Sequence, residues 1–319
     1  MITRDPLDYG AFKVANLTKT YGDVQAVAGV SFEIREGEIF GLLGPNGAGK
    51  TTVINVLCTY AEPTEGEAFV AGRSVTAEPE AVKRVIGVVP QDIALYADLN
   101  AVENLRFFGR MYDIPEARLK QRIGELLQLV GLTEHARKRV EHYSGGMKRR
   151  LNLAVGLLSE PRFLMLDEPT VGVDPQSRNA IFENIQALNQ QGLTVLYTTH
   201  YMEEAELLCD RVAIMDEGRI IALDTPQHLI NTLGTGLIHI GVKEGLGEGM
   251  LAPLQALPRV ARVTPRDDTL VFETVDAQQA LLGIIAVFNE TDTPMTSLEI
   301  LEPSLESVFI QLTGKQLRD

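Results

Sequence analysis

Apolar positions along the chain fall into short alternating or β-branched runs and longer runs with helical spacing. FKVANLTKTY and AVAGVSFEI open the chain and predict strands. EIFGLLG follows as an apolar strand ending in glycine, and TTVINVLCTY beyond it has helical length and apolar spacing. Near-continuous apolar runs recur at VIGVVP (85–90), RFLMLD (162–167) and LTVLYTT (193–199), with helical segments between them. Such runs suit a parallel sheet buried on both faces. DRVAIMDEGRIIALD (210–224) predicts a hairpin turning at Glu217–Gly218.

Near Gly234 the pattern changes. LIHIGV, MLAPLQAL, VARVTPR, TLVFETV, AQQALLGIIAVF and MTSLEIL predict strand, helix, strand, strand, helix and strand, with LESVFIQL as a last helix. This is the order of a small ferredoxin-like α+β domain. The boundary is placed between Leu229 and Leu237, giving a first domain of residues 1–232 and a second of 236–319. KEGLGEG (243–249) has closely spaced glycines but no strand-to-helix frame, so it reads as a plain loop.

Composition narrows the classes. A length of 319 residues with 45% hydrophobic content accommodates one large and one small domain, at roughly 150 residues each. The net charge of −14 argues against a nucleic-acid partner held on a broad basic face. Two cysteines, Cys58 and Cys209, are too few for a disulfide scaffold, and the five histidines show no metal-ligand spacing. Any metal should therefore arrive with a ligand. MITRDPLDYG lacks the apolar core of a signal peptide, so the chain is expected to stay in the cytosol. The longest aliphatic run, 281–288, would extend only about 12 Å as a helix against about 30 Å of hydrocarbon, too short to cross a membrane.

The chemistry begins at GPNGAGKT, residues 44–51, which matches G-x-x-x-x-G-K-[ST] between a predicted strand and a predicted helix. Small residues at Gly44, Gly47, Ala48 and Gly49 let backbone N–H groups converge on phosphate oxygens, with Pro45, Asn46 and Thr52 completing the loop. Lys50 brings positive charge to terminal phosphates, and the Thr51 hydroxyl can ligate Mg²⁺. Asp167 and Glu168 end the strand RFLML. One carboxylate there can hold Mg²⁺, and the next can polarise an attacking water. YSGGMKRRLNLAVGLL (143–158) starts a helix at Ser144, Gly145 and Gly146; its free N–H groups suit a phosphate or an ordinary serine cap. Lys148, Arg149 and Arg150 read equally well as a solvated turn.

The order GPNGAGKT, VPQ, YSGGMKRR, FLMLDEPT, VGVDP, TTH resembles the ATP-binding subunit of an ABC transporter across about residues 10 to 230. The resemblance implies a P-loop NTPase fold of the ABC ATPase type: an antiparallel β subdomain, a parallel-sheet core and a helical subdomain at about 92–160. It also implies a head-to-tail homodimer with two ATP molecules between facing subunits, so that Ser144, Gly145 and Gly146 serve the partner's nucleotide. By motif, Tyr21 resembles the residue that stacks on adenine. Gln91 resembles the glutamine that touches Mg²⁺ and reports nucleotide state to the membrane subunit. His200 resembles the switch histidine at the γ-phosphate, and Asp174 matches the loop joining the two sites. Tyr143 and Met147 depart from the commoner LSGGQ, and VGV before Asp174 departs from SGL.

The unsplit ATPase with a small C-terminal domain ending in EPSLESVFIQLTG resembles the ATP subunits of antibiotic, multidrug and Na⁺ exporters. That resemblance implies Mg²⁺-dependent ATP hydrolysis at the cytoplasmic membrane face, coupled to a separate transmembrane permease. Residues 92–115, rich in aromatic and aliphatic side chains, would form the groove for the permease's coupling helix, or pack internally. Non-transport ABC ATPases usually carry tandem cassettes, a coiled-coil insertion or zinc cysteines, and none is seen. A regulatory module that binds ATP without hydrolysing it is the other alternative, against which Glu168 and His200 both count. For the C-terminal domain a dimer contact is the favoured expectation.

Overall fold

The computed structural model describes residues 11–232, 236–242, 250–266, 268–274, 276–291, 293–301 and 303–314. MITRDPLDYG and KEGLGEG lie outside the described residues. The chain divides into two compact units, residues 1–224 and 225–319.

In the first unit, β1 (Phe12–Tyr21), β2 (Val24–Ile34) and β3 (Ile39–Leu43) lead into α1 (Lys50–Leu57). The helix stops short of the apolar stretch predicted for it. Thr59 turns the chain back at φ +65°, and the Tyr60 and Ala61 amides both donate to Asn55 O at 2.9 Å. Then come β4 (Glu65–Val70), β5 (Arg73–Ser74), α2 (Pro79–Lys83) and β6 (Ile86–Val89). The helical segment holds α3 (Ala101–Met111), α4 (Glu116–Leu129) and α5 (Gly145–Gly156). After it follow β7 (Phe163–Asp167), α6 (Pro175–Gln190), β8 (Thr194–Thr199), α7 (Met202–Leu208), β9 (Arg211–Asp216) and β10 (Arg219–Asp224).

These strands make two sheets, β2-β1-β4-β5 and β10-β9-β3-β8-β7-β6. The first is antiparallel. The second is parallel from β9 to β6, with β10 antiparallel at its edge. Every residue of β3, β7 and β8 is buried, as expected for strands covered on both faces. A shared core joins the sheets: Phe12 meets Phe163 edge-on at 5.4 Å, and Phe32 stacks on Phe40 at 5.4 Å. The hairpin turn falls at Glu217–Gly218, with φ of +47° and +74°, the left-handed pair that a tight two-residue loop requires.

The second unit contains α8 (Pro226–Thr232), β11 (Leu237–Val242), α9 (Leu251–Gln255), β12 (Val260–Arg266), β13 (Thr269–Thr274), α10 (Ala277–Glu290), β14 (Met295–Leu301) and α11 (Leu305–Thr313). The sheet order is β12-β13-β11-β14, antiparallel throughout. Ile238, Ile240, Leu270 and Phe272 pack with Ala280, Ile284 and Phe288 of α10 in one core. This is the ferredoxin-like arrangement that the order of elements predicts. The two units divide at Asp224 rather than beyond Leu229, because α8 packs on α11.

Candidate active site

The loop expected to cradle phosphate is built where β3 ends. Gly44 has φ +147°, and a Cβ there would sit 2.2 Å from Met215 O of β9. Gly49 has φ +104°, and a Cβ there would sit 2.5 Å from Ala26 O of β2. Only glycine passes at these two points. The buried Ala48 accepts the Gly218 amide at 3.1 Å, and Gly218 O in turn accepts the Ala28 amide at 2.8 Å. The β9–β10 turn therefore braces the loop. Gly49 caps α1, whose first turn carries no acidic residue, leaving its first N–H groups suited to an anion. A cavity of about 430 Å³ is lined by Asn46, Gly47, Gly49, Lys50, Thr51 and Thr52, with Ala26, Gln91 and Glu168 completing it.

Glu168 is the hub. Its backbone adopts φ +45°, uncommon for a residue with a side chain. Its amide donates to Thr198 Oγ1 at 3.0 Å and to Thr198 O at 3.2 Å. Three side chains converge on its carboxylate: Lys50 Nζ at 3.1 Å, Gln91 Nε2 at 3.4 Å and His200 Nδ1 at 3.0 Å. Lys50 also donates to Gly44 O at 2.7 Å and Pro45 O at 3.0 Å. Asp167, buried beside Glu168, accepts the Thr198 hydroxyl at 2.7 Å. Thr198 thus holds both acids, one by its oxygen and one by its proton. Sequence reading gave it no role, although it is the first residue of the TTH that ends in His200.

Ser144, Gly145, Gly146 and Asp174 form a separate cluster. Ser144 caps α5 by accepting the Met147 amide at 3.2 Å. Asp174 caps α6 by accepting the Ser177 amide at 2.9 Å, a bond that holds its carboxyl below the ordinary aspartate range. A Cβ on Gly146 would meet Ser177 Oγ at 2.1 Å, so the two helix starts lie against each other. Tyr21 is 47% exposed and carries Lys19 Nζ 4.8 Å from its ring centroid. It is not part of the cavity lining.

Arg149 corrects the reading of KRR as a solvated turn. It is 9% exposed and donates to Gln91 O and to Val171 O. It links the start of the helical segment to the loop that leads to Asp174. Burial lowers its pKa from the usual arginine value.

Residues 27–171 match the family model described as ABC transporter. The linearmycin resistance ATP-binding protein LnrL of Bacillus subtilis is 43% identical over 95% of this chain and 98% of its own. This chain belongs to the ABC transporter family. The Nod factor export ATP-binding protein I of Ralstonia nicotianae is a further ABC relative, 39% identical over 96% of this chain and 94% of its own. Among solved structures, a dimeric ATP-binding cassette in a post-hydrolysis state with ADP and Pi has 27% identity and a TM-score of 0.62. It covers 67% of this chain and 98% of the cassette. The protein is an ABC ATPase subunit that binds ATP, and the fold expected from the motif order is the fold present.

Proposed function

We propose that this ABC ATPase subunit works as a Mg²⁺-dependent homodimer closed by ATP and drives export through a separate transmembrane permease. The observation that carries it is the convergence of Lys50, Gln91 and His200 on the Glu168 carboxylate. The three groups surround one point at the mouth of the phosphate cradle, where a terminal phosphate and its attacking water would lie. Glu168 serves as general base, held ready by the Thr198 bonds to its amide. His200 keeps the base oriented and reaches the γ-phosphate.

The donor set suits a hard cation: Asp167, the amide oxygen of Gln91 and the Thr51 hydroxyl offer oxygen ligands beside the cavity. When bound, Mg²⁺ supplies positive charge to the phosphate oxygens. Asp167 is kept in place by Thr198, so its role is to anchor the ion. Ser144, Gly145, Gly146 and Asp174 lie away from this cradle and are assigned to the partner's nucleotide across the head-to-tail dimer. Tyr21 is assigned to adenine, its exposed ring giving up Lys19.

Export is supported by the relatives, one a resistance protein and one a Nod factor export protein by name. No described helix is long and apolar enough to cross a membrane, which fits a separate permease and a place at the cytoplasmic membrane face. Its docking site is assigned to the exposed Tyr96, Phe107, Met111 and Tyr112 of the helical segment, where Tyr96 and Phe107 pack edge-on at 4.7 Å. The test is Glu168→Gln. It should keep ATP binding, accumulate an ATP-bound dimer on gel filtration and lower turnover by about a hundredfold or more. Unchanged turnover would remove Glu168 from the role of base.

A further inference from the structure

Glu204, in the first turn of α7, is 1% exposed, and its hydrogen bonds to Thr170, Tyr197 and Thr199 go to residues that do not line the cavity. Its carboxylate accepts three hydroxyl hydrogen bonds, from Thr170 Oγ1, Tyr197 Oη and Thr199 Oγ1, each at 2.8 Å. A buried carboxylate is costly without such donors. An apolar side chain would fill the space without that cost, so the charge is kept for what it orients.

The three hydroxyls are placed with a pattern. Thr170 follows Glu168 by two residues, and the loop continues from it through Val173, whose amide donates to Thr170 O at 3.2 Å. Thr199 immediately precedes His200, and its Oγ1 accepts the Tyr201 amide at 3.0 Å. The backbone on both sides of His200 is therefore tied to the same side chain as the loop leaving Glu168. Burial and the Glu204 charge push the Tyr197 phenol well above its usual range, which keeps its proton in place as a donor.

We infer that Glu204 is a positioning residue: it locks the loop after Glu168 and the backbone around His200 to each other, so that His200 Nδ1 meets Glu168 Oε2 at 3.0 Å. The inference rests on the roles given above to Glu168 and His200. Glu204→Gln keeps the side-chain shape but places an amide nitrogen where hydroxyl protons point.

The experiment compares full-length wild type, Glu204→Gln and Glu168→Gln for kcat, KM for ATP and the rate of carbethoxylation at His200, resolved by mass spectrometry. The exposed His142 is the internal reference. Glu204→Gln is expected to lower kcat by about tenfold or more with KM within about twofold, and to raise the His200 labelling rate relative to His142. Wild-type kcat in Glu204→Gln, or a lowered kcat with unchanged His200 labelling, overturns the inference. Turnover retained in Glu168→Gln instead overturns the reading of the site itself. Should Glu204→Gln not fold, Thr199→Val, which removes one donor at constant shape, is read by the same two outcomes.

Discussion

Lys50 Nζ lies 3.1 Å from Glu168 Oε1, with the two side chains 4% and 5% exposed. The ammonium has three hydrogens and three acceptors, Gly44 O, Pro45 O and the Glu168 carboxylate. The carboxylate proposed as general base is thus paired with the lysine proposed to hold phosphate.

Removing the cation should therefore harm the fold as well as the binding. Lys50→Met is expected to lose ATP binding and to destabilise the nucleotide-free chain by about 3 kcal/mol, the cost of leaving a buried carboxylate unpaired. Adding Glu168→Gln to Lys50→Met should recover most of that loss. Urea unfolding of the single and double variants measures both, and a double variant no more stable than Lys50→Met would overturn this account of the pair.

Two glycines of the cradle should respond differently. A Cβ at Gly47, φ +83°, meets nothing within 4 Å, whereas one at Gly49 meets Ala26 O at 2.5 Å. Gly47→Ala is expected to lose only the left-handed penalty of about 1 kcal/mol. Gly49→Ala should lose more and displace the start of α1, abolishing nucleotide binding by fluorescence titration with a labelled ATP analogue. Equal effects would mean that the approach of β2 does not shape the loop.

Arg149→Met should reveal how the helical segment is tied down. The methionine fills similar space but leaves Gln91 O and Val171 O without their donor, a loss of about 2 kcal/mol. Because one of those carbonyls belongs to Gln91, kcat should fall while KM for ATP changes little. Steady-state kinetics beside a thermal melt checks both, and unchanged kcat would leave Arg149 a packing residue only.

How much of this was legible in the sequence follows the range of the interactions. The cradle is one contiguous stretch with glycines at set spacing, so its chemistry could be read directly, and the β9–β10 turn is likewise local. Glu168 is read from its place after Asp167 at the end of an apolar strand, and His200 from the family resemblance. What joins them is not: Thr198 belongs to β8 while the acids it holds lie at the end of β7 and just beyond it, and nothing in either run marks that pairing. Arg149 was invisible for the same reason, since a basic triplet at a helix start looks solvated until its carbonyl partners, Gln91 and Val171, are brought to it. The helix α1 ended early because Thr59 turns back on Asn55, a reversal that apolar spacing does not record. The departure at Tyr143 also has a local reason, its hydroxyl donating to His135 O at 2.7 Å.

The brace beneath the cradle has a consequence for how the protein is made. Met215, whose carbonyl lies close against Gly44, and Gly218, whose amide donates to Ala48 O, belong to the last hairpin of the first unit. A ribosome releases GPNGAGKT early, but that loop has no floor until residue 218 has left the exit tunnel. The nascent chain is therefore expected to carry the phosphate motif without its final shape from residue 51 to residue 218, and to gain nucleotide competence only as the unit closes.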